Sequence, residues 1–179
     1  EKNEVLIHSN IKVRSWIQPL MYYSIAKISY FFNINDIFKI TFLFRLLSSI
    51  IGFYSIYYFY NKTKNHFTKD VSKTIYLFLS FLICYITVWH ARTSAENLSI
   101  SFLLIGIGYL YSNHNNFNNF KLFLLGLIFG VSFVFRYNLG ISILFILLWF
   151  FFFTNKKRVL SILVILSGIL IINFFNIVA

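Results

Sequence analysis

Long apolar runs separated by short polar loops constrain this chain more than any other feature of its sequence. A run of about 20 apolar residues can cross a bilayer as a helix, because a helix satisfies its own backbone hydrogen bonds. Only 12% of the residues are charged, against roughly a quarter in soluble domains, so most of the surface must face lipid. The sequence therefore predicts an all-α, polytopic membrane helical bundle. The runs that reach or approach the spanning length are Ile37–Tyr60, Thr74–Trp89, Leu98–Tyr111, Leu122–Phe153 and Val159–Val178.

The fourth run is too long for one untilted span. As a continuous helix, Leu122–Phe153 would measure about 48 Å, against a hydrocarbon core of about 30 Å. We predict that it breaks at Arg136–Gly140 into two short helices. Residues 34–179 would then contain about six membrane helices.

The first 33 residues have a different character. We predict an outer loop followed by an interfacial amphipathic helix at Trp16–Asn33, where tyrosines are mixed with polar residues. An ordinary spanning helix is the alternative for this segment. Residues 1–179 would form part of one transmembrane domain. Because the chain begins with Glu1 and ends inside an apolar run, we expect it to be truncated at both ends.

Basic residues are concentrated in alternate loops, which predicts the orientation of the helices. The formal net charge is +11, but positive charge in short loops marks the cytoplasmic side of a membrane protein. Membrane orientation therefore explains the positive charge. We predict that the protein has the lipid bilayer as a partner and binds no nucleic acid. The opposite side would hold the N-terminal segment, His90–Asn97 and Arg136–Gly140. The basic residues predicted to be cytoplasmic are Lys62, Lys64, Lys69, Lys73, Lys121, Lys156, Lys157 and Arg158.

Three arginines, Arg14, Arg92 and Arg136, lie on the predicted extracytoplasmic side, against this bias. An unpaired arginine near the membrane is costly, so it usually has an anionic partner. The guanidinium group can bind two phosphate oxygens with parallel N–H bonds. We therefore predict that these arginines bind a phosphate-bearing lipid or sugar donor. The alternative is three unrelated arginines that extend to lipid headgroups.

The segment before the third run can place a helix N-terminus at the same surface. Thr93 and Glu96 have the spacing of a capping box, and Arg92 and Glu96 would be i,i+4 neighbours if the helix begins early. The free N–H groups of a helix N-terminus would also suit a phosphate. A cap combined with a structural ion pair is the alternative.

The remaining polar residues point to structure rather than to further chemistry. Arg45 lies inside the first run, where pairing with Asp36 or with a polar group of another helix is the favoured interpretation. The four histidines are scattered over both predicted sides without metal-ligand spacing. We therefore predict no protein-bound metal and no cofactor.

Three short motifs are similar to those of a known family. Lys12–Leu20 (KVRSWIQPL) resembles the Ile-Arg-Ser-Trp/Tyr-x-x-Pro motif of glycosyltransferase family 22. Arg92–Ser99 (RTSAENLS) is similar to the family's Arg-Thr-x-Ser-Asn/Glu-x-Leu/Glu segment, and Phe135–Asn138 (FRYN) resembles its later arginine-containing turn. This family contains the mannosyltransferases of asparagine-linked glycan and GPI-anchor assembly, together with bacterial relatives. The motifs occur in the family's order over nearly the whole chain.

The resemblance implies a GT-C fold whose active site faces the lumen of the endoplasmic reticulum in a eukaryote, or the periplasm at the inner membrane in a bacterium. It also implies transfer of a sugar, usually mannose, from a polyprenyl- or dolichyl-phosphate carrier to a hydroxyl of a glycan or lipid, with inversion. The residues implied at the donor phosphate are Arg14, Arg92 and Arg136, and the implied supporting residues are Ser15, Trp16, Thr93, Glu96 and Asn97.

The same resemblance places the catalytic base in an acidic motif upstream of Glu1, so no catalytic residue is assigned here. Glu1 or Glu4 would match an acidic position that precedes the Arg-Ser-Trp motif. Two alternative functions stay open. One is another polyprenyl-phosphate-dependent glycosyltransferase, of the protein or lipid A type. The other is a non-enzymatic transporter or flippase, although the sequence shows no internal repeat of the transporter kind.

Overall fold

Helices account for all the regular structure in the computed structural model, which describes residues 17–82, 94–113, 117–153 and 158–178. The prediction of an all-α chain is therefore confirmed for these ranges. A 3-10 turn, Lys64–His66, extends the second helix. The helices are α1 (Ile17–Phe31), α2 (Ile37–Thr63), α3 (Asp70–Leu82), α4 (Ala95–Asn113), α5 (Asn119–Phe135), α6 (Leu139–Phe153) and α7 (Arg158–Val178).

The predicted break in the fourth apolar run is confirmed, since α5 ends at Phe135 and α6 begins at Leu139. Arg136 leaves the helix with extended backbone angles, φ −152° and ψ 104°. Its N–H still donates to the Ser132 carbonyl at 3.3 Å, which ties the turn to the last helical residues. Gly140 packs against Phe133 so closely that an added Cβ would lie 2.6 Å from the ring. The turn is therefore short and tightly packed.

Side-chain caps set the starts of α2 and α4. The Asp36 carboxylate accepts a hydrogen bond of 2.9 Å from the Phe38 N–H at the start of α2. At α4, the Ser94 hydroxyl accepts a hydrogen bond of 3.3 Å from the Asn97 N–H. Ser94 thus caps α4, and the Glu96 side chain pairs with Arg136. Thr93, the other member of the predicted capping box, lies outside the described residues.

Parallel and antiparallel contacts fix the directions of the helices. Ser48 of α2 contacts Asn97 near the start of α4, and Gly108 near the end of α4 packs on Tyr58 near the end of α2. These two helices therefore run parallel, with α3 returning between them in the chain. α5 runs back along α4, because the Ser132 hydroxyl of α5 reaches the start of α4.

The second half of the bundle repeats this alternation. Phe117, before α5, packs edge-on against Phe150 near the end of α6, so α5 and α6 are antiparallel. Gly126 of α5 lies against Ile165 of α7, and Gly130 lies against Ile169, so α5 and α7 are parallel. Consecutive helices thus alternate in direction, as a chain that repeatedly crosses a layer requires.

This alternation creates two distinct ends of the bundle. The Glu96 end contains the starts of α2, α4 and α6 and the end of α5, with Asp36, Lys39, Ser94, Glu96 and Arg136. The lysine end contains the ends of α2 and α4 and the starts of α3 and α5. α7 also starts at this end, because it is parallel to α5. The lysines and arginine of this end in the described ranges are Lys62, Lys64, Lys69, Lys73, Lys121 and Arg158.

The tightest helix pair, α5 with α7, is built on glycines that the sequence interpretation did not single out. Gly126 and Gly130 form a G-x-x-x-G pattern on α5, and Gly168 faces them from α7. A Cβ at Gly168 would lie 2.7 Å from the Phe123 carbonyl oxygen. Small residues at this spacing let two helix backbones approach closely and gain van der Waals contact, which is the usual packing mode of membrane helices.

The described surface is strongly apolar. Two helical segments, Ile37–His66 and Val159–Ile177, are long and apolar enough to cross a membrane, with mean hydropathy of 1.6 and 2.4. Asn119–Phe135 and Leu139–Phe152 are apolar but shorter. Among the described residues, exposed large apolar side chains outnumber buried ones by more than two to one. These properties are consistent with a membrane location, while the prediction of about six membrane helices stays a prediction.

Two interpretations of individual segments have different outcomes. α1 confirms a helix within Trp16–Asn33 and contacts α2 through Tyr22 and Phe44, whose ring centroids are 4.8 Å apart. Its placement at a membrane interface stays a prediction.

Arg45 lies on the exposed face of α2, and its side chain makes no ion pair with any described residue. The expected pairing with Asp36 is therefore wrong, because the Asp36 carboxylate caps α2 instead.

Candidate functional site

An ion pair joins α4 and α5 at the Glu96 end. Arg136 donates through Nη2 to Oε1 of Glu96, although the two residues are 40 positions apart in the sequence. Glu96 lies in the first turn of α4, and Arg136 is the residue that caps the end of α5. The antiparallel packing of these helices brings the two residues together. The contact also joins two of the three family-like motifs, Arg92–Ser99 and Phe135–Asn138.

Helix electrostatics favour both charges at these positions. The first turn of a helix carries unpaired N–H groups and partial positive charge, which suits the Glu96 carboxylate. The last turn carries unpaired carbonyl groups and partial negative charge, which suits the Arg136 guanidinium. Each side chain therefore stabilises the terminus on which it lies and pairs with the other. Taken alone, the ion pair between Glu96 and Arg136 is explained by a purely structural role.

A buried polar seam lies directly behind the ion pair. The Ser132 hydroxyl donates to the Ser99 carbonyl oxygen at 2.8 Å, linking α5 to α4. The Asn97 amide donates to the Ser48 hydroxyl at 3.0 Å, linking α4 to α2. Ser48, Asn97, Ser99 and Ser132 are all buried. Cross-helix hydrogen bonds between small polar side chains fix the relative depth of helices that apolar contacts alone would let slide.

The ion pair itself remains accessible. The side chains of Arg136 and Glu96 are 46% and 54% exposed, in contrast to the seam behind them. A guanidinium group carries five N–H donors in one plane, and within the described ranges a single contact through Nη2 occupies it. A second anion could therefore bind another edge of the same group. Phosphate oxygens match that geometry.

An apolar cleft lies between α4 and α6, the two helices that start beside the ion pair. Its volume is about 360 Å³, and its lining is almost entirely apolar. Ile107 is eleven residues beyond Glu96, which places the cleft about 17 Å along the axis of α4. The lining residues are Ile107, Leu110, Phe145, Ile146 and Trp149.

The structure brings together only part of the predicted site. Arg136 and Glu96 are in contact, and Asn97 lies behind them as a buried link to α2. Sequence interpretation missed Ser48 and Ser132. Ser132 lies in the last turn of α5, four residues before Arg136, but spacing along the sequence does not show that it reaches α4, and nothing in the sequence signals Ser48. The predicted site residues outside the described ranges are Glu1, Glu4, Arg14, Ser15, Trp16, Arg92 and Thr93.

The described ranges contain no group of three histidine, cysteine or acidic side chains that could hold a metal ion. At the Glu96 end, the group that could bind a ligand is a cation, the Arg136 guanidinium, held by Glu96. The site thus consists of one accessible arginine, its carboxylate partner and a rigid polar support between apolar helices. The class of protein that these features define is an all-helical, membrane-associated protein with an anion-compatible end.

The comparison with known families agrees with this class. The model of the Alg9-like mannosyltransferase family matches residues 8–179, and the chain belongs to that family. This confirms the resemblance to glycosyltransferase family 22 and, at the level of the family, identifies a membrane mannosyltransferase. No curated protein and no solved structure matches the chain.

Proposed function

We propose that this protein transfers mannose from a polyprenyl- or dolichyl-phosphate carrier to a hydroxyl of a glycan or lipid, with inversion, in a polytopic GT-C bundle. Family membership supports the transfer of mannose. The observation that supports phosphate binding is the position of Arg136. This arginine is paired with Glu96 and is still 46% exposed at one end of an apolar bundle. Such a group suits a charged ligand whose remainder is apolar.

The chemistry requires two kinds of group. A carboxylate deprotonates the acceptor hydroxyl while the carrier phosphate gains negative charge as it leaves. Arg136 would stabilise that leaving phosphate, because a preorganised cation acts most strongly where charge develops. Arg14 and Arg92 are proposed as further phosphate ligands on the basis of their family-like motifs. The base is not assigned, and Glu1 and Glu4 are proposed contributors.

The apolar cleft between α4 and α6 supports a lipid-linked donor. A carrier phosphate bound at Arg136 would place its isoprenoid chain beside the first turns of these two helices. The cleft begins farther along the same helices and offers Ile107, Ile146 and Trp149 as contacts. A flexible apolar chain gains from such a lining without any polar partner.

The orientation in the membrane is part of the proposal. Five described lysines, Lys62, Lys64, Lys69, Lys73 and Lys121, lie at the end opposite Glu96, against Lys39 at the start of α2. Positive charge in short loops is retained in the cytoplasm. The Glu96 end would therefore face the lumen of the endoplasmic reticulum in a eukaryote or the periplasm in a bacterium. A lipid-linked mannose donor and a lipid-linked or glycan acceptor would meet there.

Replacing Arg136 tests the proposal. The full-length protein is assayed for mannose transfer from polyprenyl-phosphate mannose to acceptors in membranes from cells that lack the protein. We expect Arg136→Gln to reduce transfer about 100-fold, the usual scale for loss of one charge-stabilising donor. The matched control is Lys73→Gln, which removes a paired cation at the lysine end and should change transfer less than threefold. Full transfer by Arg136→Gln would remove Arg136 from the site and refute the phosphate assignment.

A further inference from the structure

The Glu96 carboxylate lies close to the place where the proposed function needs an anionic ligand. A second negative charge beside a phosphate is unfavourable unless it does something else for binding. The contact itself indicates what that is. Glu96 holds Arg136 through one nitrogen, Nη2, while both side chains stay about half exposed. The pair therefore constrains Arg136 and still leaves it open to a ligand.

Arg136 needs an orienting partner because of its position. It follows the last helical residue of α5 and has extended backbone angles, so the helix no longer restricts its side chain. A long arginine side chain loses considerable rotamer freedom when it is fixed. Paying that cost before the ligand arrives strengthens binding, because less ordering remains to be done on association.

Glu96 is well placed to provide this orientation. It lies one turn from Ser99, whose carbonyl oxygen accepts the Ser132 hydroxyl bond at 2.8 Å. Asn97, next to Glu96, anchors the same turn of α4 to Ser48 on α2. The carboxylate thus belongs to a part of α4 that two cross-helix hydrogen bonds tie to α2 and α5. A rigid support behind a polar side chain is what preorganises a binding group.

We propose that Glu96 is a positioning residue that turns the free edge of the Arg136 guanidinium toward the donor phosphate. This inference rests on the proposed function, since it assumes that Arg136 meets the phosphate of the carrier. It assigns Glu96 a role in donor affinity rather than in the chemical step. Both two-donor edges of the guanidinium, Nε with Nη2 and Nη1 with Nη2, include Nη2, which carries two hydrogens. The phosphate would occupy the edge that points away from the Glu96 carboxylate.

Steady-state kinetics of Glu96→Gln in the full-length protein test this role, with polyprenyl-phosphate mannose as the varied substrate. We expect the KM for the donor to rise about tenfold and kcat to change less than twofold. A purely structural role would lower the active fraction, which reduces apparent kcat and leaves KM unchanged. Glu96→Asp keeps the carboxylate on a shorter side chain and should raise KM only two- to threefold. Asp70→Asn, which removes the carboxylate of an ion pair at the lysine end, is the matched control and should leave KM unchanged.

The outcomes separate this inference from the proposed function. An unchanged or lower KM in Glu96→Gln, together with strong loss in Arg136→Gln, would overturn the positioning role alone. A lower KM would mean that the carboxylate competes with the phosphate for the guanidinium. Full transfer by Arg136→Gln would instead refute the phosphate assignment itself. If Glu96→Gln does not fold, the KM of Glu96→Asp decides, because a value equal to that of the unmodified protein contradicts the inference.

Discussion

The two ends of the bundle carry charge in different ways. At the lysine end, Lys73 pairs with Asp70 three residues before it, at 3.0 Å, and Lys64 donates to Asn61 at 2.9 Å. Each of these contacts joins residues three positions apart in the chain. The ion pair at the Glu96 end joins α4 to α5 instead, and the buried seam lies behind it.

Aromatic rings at the lysine end reinforce this difference. Lys62 lies 5.5 Å from the centroid of the Tyr58 ring, and Lys64 lies 5.9 Å from that of Tyr60. Such lysines extend from amphipathic positions and shift easily with their surroundings. In the proposed topology, charge at the lysine end would serve orientation, for which sign and number suffice. Charge at the other end serves a defined geometry, for which a specific partner is needed.

Labelling of the two ends should give the largest contrast, an all-or-none one. Asn65 and Asn138 are both exposed and lie at the lysine end and the Glu96 end. In a Cys84→Ser background, Asn138→Cys should react with a membrane-impermeant maleimide on the extracytoplasmic side, whereas Asn65→Cys should react only after permeabilisation. The physical reason is retention of the lysine-rich loops in the cytoplasm. Reaction of both cysteines from one side would end the proposed topology.

A pair of double-mutant cycles should give the next largest effect. We expect a coupling free energy of about 1 kcal/mol between Glu96 and Arg136, at the upper end for accessible ion pairs. The coupling between Asp70 and Lys73 should be about 0.3 kcal/mol, as for exposed pairs within one helix. The reason is that the Asp70 side chain is 96% exposed, against 54% for Glu96.

The cycles use Gln and Asn replacements, and unfolding is followed by circular dichroism in mixed micelles. Equal coupling at the two ends would show that crossing between helices adds nothing to the Glu96 pair. The lysine end and the Glu96 end would then not differ in how much their ion pairs contribute to stability.

Deleting one hydroxyl at each end should give the smallest relative difference between the two ends, about twofold. Ser132→Ala removes a buried hydrogen bond and should lower the free energy of unfolding by about 1 kcal/mol. Tyr76→Phe removes the 2.6 Å bond between the Thr63 and Tyr76 hydroxyls, which is only part-buried. It should cost at most about 0.5 kcal/mol, because water can replace a partner that is not fully enclosed. A larger loss for Tyr76→Phe would contradict the view that the rigid support lies at the Glu96 end.

Much of the local structure could be predicted from the sequence. The break at Arg136–Gly140 was correct because about 48 Å of continuous helix exceeds the hydrocarbon core, and a chain satisfies that limit by turning where polar residues occur. The helices follow the apolar runs closely, with α2 ending at Thr63 and α4 beginning at Ala95. The family-like motifs also identified the family. These properties depend on composition and spacing along the chain, which the sequence contains directly.

Contacts between helices could not be predicted in the same way. Glu96 was expected to cap α4 or to pair with Arg92, which lies outside the described residues; its partner among the described residues is Arg136, at the end of another helix. Arg45 was expected to be paired, yet it lies on an exposed face among the described residues. Which side chains meet depends on the rotation and depth of each helix, and Gly126 and Gly168 set these for α5 and α7 by close backbone contact.

The sequence by itself determined the helical elements, the grouping of lysines in alternate loops and the membership of a mannosyltransferase family. Only the tertiary structure decided that Glu96 and Arg136 form one accessible pair on a seam of buried serines and Asn97. The physical reason is that apolar periodicity fixes where a helix forms and which residue types it contains, whereas a site requires groups from separate helices at one depth. That depth arises from packing and cross-helix hydrogen bonds.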